Sequence, residues 1–266
     1  MTASPADRPP DPELVAFVAD ELARPTLPEA VAFAEDLARR PGVAAVLFYG
    51  SCLQRETTEG MLDFYALTDA PGAWDQGALI EGAGRALPPN VYPVEFQGLK
   101  AKVAVVHIDD FAARCGLETL DTTFWARFCQ RAALLWARDG AARDAAVSAV
   151  AAAVETAAVW ASRLAPAREG PDAWRALFAE TYTVEIRPER KGRSADIVGA
   201  EEARFAALWP LTLAAREAAP KTNGGAWRLR WWAGKALHLS RLAKAAFTYS
   251  GGIRYLIWKI RRHRSR

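Results

Sequence analysis

The chain has 266 residues, of which 51% are apolar and 24% charged, and a net charge of +3. It is long enough for one large domain or two small ones with buried cores, and it reads as an ordinary soluble protein. Three widely spaced cysteines, Cys52, Cys115 and Cys129, argue against a disulfide framework and suit a reducing compartment, while three scattered histidines give no zinc pattern.

In chain order, "MTASPADRPPDPEL" has neither the basic nor the apolar region of a signal peptide. Residues 1–12 are expected to be a disordered lead-in. "DPELVAFVADELAR" and "PEAVAFAEDLARR" carry apolar residues three and four apart behind Asp or Pro, which predicts two amphipathic helices. "GVAAVLFYG" reads as a buried strand ending in Gly-Ser, and "MLDFYALTD" as a second. "PGAWDQGALIEGAGRALPPN" suits a helix stopped by Pro-Pro, and "VYPVEF" and "KAKVAVVHI" read as two more strands.

From about 115 to 218 the patterns predict helices almost throughout, including "LDTTFWARFCQRAALLWARD", with a polar interruption at "IRPERKGRSADIVG". The Ala-rich stretch 141–161 comes nearest to a membrane span, but Asp144 and Glu155 break it. The expected class is therefore α+β: a mixed-sheet domain over 1–115, an α-rich domain over 116–220 and a basic tail over 221–266.

Charge is divided unevenly along the chain. Residues 221–266 hold 12 Lys or Arg and no Asp or Glu, so the first 220 carry 22 basic residues against all 31 acidic ones. A cationic tail on an acidic body is expected to face a polyanion.

The chemistry is suggested by "VLFYGSCLQRETTEGMLDFYALTD", residues 46–69. Nucleotide transfer needs a turn whose backbone N–H groups and hydroxyl approach a triphosphate, and carboxylates on neighbouring strands to hold a divalent metal. Gly50 and Ser51 supply the turn and Asp63 the carboxylate. The second acid usual two residues later is replaced by Tyr65, and Asp69 lies ~20 Å along the strand, too far to share a metal. Glu95 is the first candidate for the missing ligand, with Asp109 and Asp110 next. Lys102, on the same set of strands, is placed to meet phosphate.

The motifs taken together resemble the mitochondrial-type phosphatidate cytidylyltransferases, also called the translocator assembly and maintenance family. The segments that carry the likeness are "FYGSCLQ", "MLDFYALTDAPGAWD", "NVYPVEF", "LKAKVAVV", "FWARFCQRA", "ETYTVEIRPERKGRSADIV" and "YSGGIRYLIWKIRR", in order from 46 to 262. The resemblance implies a nucleotidyltransferase-like domain followed by a winged-helix-like one. It implies Mg-dependent transfer of CMP from CTP to phosphatidic acid, giving CDP-diacylglycerol and pyrophosphate. Gly50, Ser51, Asp63, Lys102, Tyr182 and Arg187 match positions of the family pattern, Asp63 and Lys102 as catalytic residues and the others as nucleotide-binding ones. The sequence departs from the family at Arg127, where a Gly is usual, and at Val184 and Glu185, which replace Gly-Asp.

The tail has its own pattern. If 227–247 is helical, Leu229, Trp232, Ala236, Leu239, Ala243 and Ala246 recur on one face, and Arg228, Lys235, His238, Arg241 and Lys244 lie mostly opposite. That stripe either packs on its own domain or lies in a membrane interface; for the end of the chain, with Arg254, Trp258, Lys259, Arg261 and Arg262, an anionic membrane is the expected partner. A cytoplasmic protein attached to the inner face of the cell membrane, without nucleic acid, is thus expected. The other classes are an inactive membrane scaffold and a nucleotidyltransferase acting on another phosphorylated or nucleic-acid substrate.

Overall fold

The computed structural model describes residues 8–70, 74, 87–184, 193–220 and 224–248. The elements are α1 (Pro12–Leu22), α2 (Pro28–Ala38), β1 (Val43–Tyr49), α3 (Ser51–Gln54), β2 (Leu62–Thr68), β3 (Asn90–Phe96), β4 (Leu99–His107), α4 (Ile108–Cys115), α5 (Thr122–Phe128), β5 (Ala132–Ala137), α6 (Gly140–Leu164), α7 (Gly170–Val184), α8 (Arg193–Ala200), α9 (Glu202–Leu211), α10 (Leu213–Ala218) and α11 (Gly224–Thr248). The helix expected between β2 and β3 lies outside the described residues, apart from its edges.

The class is α+β, as the order of patterns predicts. Five strands form one mixed sheet in the order β3-β4-β2-β1-β5. Only β2 and β4 run parallel; the other pairs are antiparallel. Alternation along the central strands divides two cores. Val46, Phe48, Leu62, Phe64, Ala66 and Val103 meet Phe33 and Leu37 of α2 on one face. Leu47, Tyr65, Leu67, Ala104 and Val106 face the other way, towards α1 and the helices that follow β4.

Helix starts follow local chemistry. Asp11 accepts from the Glu13 N–H (2.9 Å) ahead of Pro12, and Asp139 accepts from the Ala142 N–H (2.8 Å) at the head of α6, each satisfying an N–H that has no partner inside its helix. Helix α6 is long and apolar enough to cross a bilayer, but 72% of its most apolar window is buried inside the protein. Its alanines let α1, α4, α5 and α7 approach closely, making it the central core helix. Glu155, one of the two acids that break its apolar run, accepts from the Asp11 N–H at 3.1 Å.

Two expectations are corrected. "AALLWA", expected to be helical, is strand β5, paired antiparallel with β1 from Tyr49↔Ala132 to Ala45↔Ala137. A six-residue apolar run fits either state, and the open edge of β1 decides it. The region 116–220 therefore contributes a strand to the sheet, and one cluster of buried apolar residues includes members of α1, β2, α9 and α11. Part of the polar interruption, Arg193–Ala200, is also helix.

A buried ion pair ties this core together. The Arg204 guanidinium on α9 donates to both Glu21 oxygens, at 2.5 and 2.8 Å, and to the Cys129 carbonyl at 2.9 Å. Both side chains are almost fully buried, and the bidentate geometry offsets much of the cost of removing two charges from water.

Candidate functional site

Strand β1 ends at Tyr49, directly opposite Asp63 at the start of β2. The chain then turns at Gly50, with φ 88° and ψ −165°, a conformation in which residues with a β-carbon are strained. Space imposes the same requirement: a β-carbon on Gly50 would sit 3.0 Å from Asp63 Oδ2. Ser51 follows at once, and α3 is a single turn closed by Gln54 N–H to the Gly50 carbonyl (3.1 Å) and Arg55 N–H to the Ser51 carbonyl (3.1 Å). The Arg55 side chain also donates to the Ser51 carbonyl at 3.2 Å.

Across the parallel pair, Asp63 is in register with Lys102 of β4. Both belong to the face that carries Tyr65, Leu67, Ala104 and Val106, because side chains alternate along each strand. Gly50, Ser51, Asp63 and Lys102 are thus gathered at one end of three neighbouring strands.

Tyr65 stands two residues beyond Asp63 on that face, where a second acid would be. Its buried hydroxyl accepts a hydrogen bond from Arg127 Nη1 at 3.0 Å, and burial raises its pKa above the ordinary phenol value. The Arg127 guanidinium also lies 5.3 Å from the centre of the Tyr49 ring. A cation thus occupies the neighbourhood that the sequence pattern reserves for an anion. Arg127 is the residue that the sequence reading left out of the site; the one signal was its departure from the small residue usual there.

The thiol nearest this turn, Cys52, is buried. Burial, then the negative charge of Asp63, push the Cys52 pKa up, and its Sγ donates to the Met61 carbonyl at 3.5 Å. Both effects disfavour the thiolate, the nucleophilic form of a cysteine.

Other expected ligands are placed elsewhere. Glu95 lies on the same face of the sheet as Asp63, but on β3, opposite Lys100, while Pro93 is the residue opposite Lys102. Two strand spacings and two residues separate its Cα from that of Asp63 by about 12 Å, and its side chain is exposed. Asp109 and Asp110 begin α4 at the far end of β4, more than ~16 Å along the strand from Lys102. There the Asp109 N–H donates to His107 Nδ1 at 3.3 Å. Asp69 pairs with Arg138 at 2.6 Å. Tyr182 lies on α7 with its side chain outside the described residues, as are Arg187, Arg254, Trp258, Lys259, Arg261 and Arg262.

Among the described residues, no group of three or more His, Cys, Asp or Glu side chains is arranged to hold a metal ion. Mg²⁺ is commonly bound by one or two carboxylates together with substrate phosphates, and Asp63 beside the Gly50-Ser51 turn fits that mode.

No family model matches the chain, and no curated protein matches it. Among solved structures it is similar to a nucleotidyltransferase-like protein from Exiguobacterium sibiricum, with 10% identity and a TM-score of 0.30, over 82% of this chain and 76% of that one. A likeness that loose assigns neither substrate nor residue roles.

Proposed function

We propose that this protein is a nucleotidyltransferase, and within that class one that moves CMP from CTP to the phosphate of phosphatidic acid. The observation that carries the class is the close packing of the Asp63 carboxylate on Gly50, where a β-carbon would come within 3.0 Å of Oδ2, beside Ser51 and Lys102. That arrangement opens the turn's backbone and hydroxyl to a triphosphate and keeps one carboxylate at its edge. The ordered resemblance from 46 to 262 supports the finer reading.

In this reading the acceptor phosphate is already ionised and needs no general base. One of its oxygens attacks the α-phosphorus of CTP, a new P–O bond forms, the bond to the β-phosphate oxygen breaks, and pyrophosphate leaves. Lys102 and Arg127 offset negative charge on the phosphates, and the Gly50-Ser51 turn fixes their position. Bound Mg²⁺ would add neutralisation of the phosphate charge, with Asp63 as its protein ligand. The acidic body and cationic tail favour attachment at the inner membrane surface.

The nucleotide and acceptor are tested by offering the purified chain each labelled nucleoside triphosphate with Mg²⁺ and either phosphatidate vesicles or an RNA acceptor. CDP-diacylglycerol formed from CTP supports the reading. Nucleotide added to RNA instead, or no transfer at all, refutes it.

A further inference from the structure

Helix α11 is docked with its polarity reversed. Its inward face carries the anchoring arginines. Trp227 packs against Trp160 of α6, ring centres 5.4 Å apart, and Arg230 lies over the same ring at 4.3 Å and donates to the Leu117 carbonyl at 2.9 Å. Near the other end, Arg241 donates to the Pro88 carbonyl (2.8 Å), to Thr123 Oγ1 (3.1 Å) and to the buried Asp121 carboxylate. The sequence places Arg241 on the polar face, and in the fold that face is turned inward at this point.

The outward face is the apolar one. Leu229, Trp232 and Leu239 are 57%, 65% and 55% exposed, and Ala236 between them is exposed as well. Their spacing of three, four and three residues sets them in one row about 15 Å long. The sequence left open whether this stripe packs on its own domain; among the described residues, Leu229, Trp232, Ala236 and Leu239 are exposed. Exposed Arg228 flanks the row, and Gly224–Thr248 contains five basic residues and no acidic one.

We propose that this outward row of α11 is a docking surface for an anionic lipid bilayer. An apolar ridge with a tryptophan, on a helix with positive charge alone, fits an interface where acyl chains lie under anionic head groups. A second copy of this chain is the poorer occupant, since it would bring an equally cationic helix against the first. The placement suits the site: Arg241 is bonded to Asp121 and Thr123 at the head of α5, the helix whose Arg127 holds the Tyr65 hydroxyl. The proposal deepens the lipid-acceptor reading, and binding without nucleotide tests it separately.

The test is co-sedimentation of the full chain with phosphatidylcholine vesicles, with and without phosphatidylglycerol, in the absence of CTP. Binding should require the anionic lipid, weaken with salt, and fall about tenfold or more in the variant carrying Leu229→Ser, Trp232→Ser and Leu239→Ser. All three positions are more than half exposed, so its melting temperature should match that of the parent. If that variant fails to fold, Trp232→Phe serves instead: brominated phosphatidylglycerol should quench the fluorescence of the parent more than that of the variant. Undiminished vesicle binding by the folded triple variant, or equal quenching in parent and Trp232→Phe, would overturn the proposal. So would a parent dimer that the triple variant converts to monomer with no change in vesicle binding.

Discussion

Gly50 and Asp63 are packed so that a β-carbon on residue 50 would lie 3.0 Å from the Asp63 carboxylate. The turn thus approaches the carboxylate more closely than a residue with a side chain would do without displacing it. Gly50→Ala must displace Asp63 and also strain a φ of 88°. The strain should cost about 1 kcal/mol of stability, and the displaced carboxylate should lower the rate about a hundredfold. Thermal melts and steady-state rates measured side by side check this. A folded Gly50→Ala protein with the parent rate would show that the contact has no catalytic role.

Arg127 is expected to hold nucleotide phosphate, since it sits between Tyr49 and Tyr65 on the face of Asp63. Arg127→Ala should raise the KM for CTP about tenfold or more, as the loss of a charge-assisted hydrogen bond predicts. Arg127→Lys should recover part of that loss by restoring the charge. A purely structural role would lower stability in both variants and leave KM unmoved.

The strands of the site were legible because each alternates or runs apolar between clear turn signals, and "GS" followed by "LDF" marks the turn and carboxylate at the spacing nucleotide chemistry needs. The rest depended on contacts between residues distant in sequence. Strand β5 was hidden in an alanine-rich run whose state is set by the edge of β1. Arg127 is remote from Tyr65 in the chain, and only the packing of α5 on the sheet brings them together. Period alone located the stripe on α11 but not the direction it faces; the buried Asp121 that draws Arg241 inward decides that.

The Glu21–Arg204 pair should govern stability and not chemistry. Glu21→Gln leaves a buried guanidinium without its counter-charge and should destabilise the fold by about 3–5 kcal/mol. A denaturant titration reads this directly. Whatever folded protein remains should have the parent KM for CTP.

The docking of α11 should fail in acid. Burial alone would raise the Asp121 pKa, but hydrogen bonds and charge from Arg241, followed by Thr123, bring it below its ordinary value of 3.8. A carboxylate depressed in the folded state stabilises above its unfolded pKa, and that stability is lost as pH falls through the folded value. Amide exchange over residues 224–248 should thus be unchanged at neutral pH and accelerate only below about 3.8, while Asp121→Asn should show fast exchange already at pH 7. Equal protection in parent and variant at pH 7 would show that the helix is held without this carboxylate.

The central claim, that Asp63 serves nucleotide transfer to a lipid phosphate, is tested most directly with Asp63→Asn. The parent and this variant are incubated with Mg²⁺, α-labelled CTP and phosphatidate vesicles, and labelled CDP-diacylglycerol is counted. The parent should form it, and the folded variant should lose at least about a hundredfold in rate, because an uncharged amide cannot replace a carboxylate that supports phosphate charge neutralisation. A variant keeping more than about a tenth of the parent rate, or a parent that makes no CDP-diacylglycerol, would contradict the account.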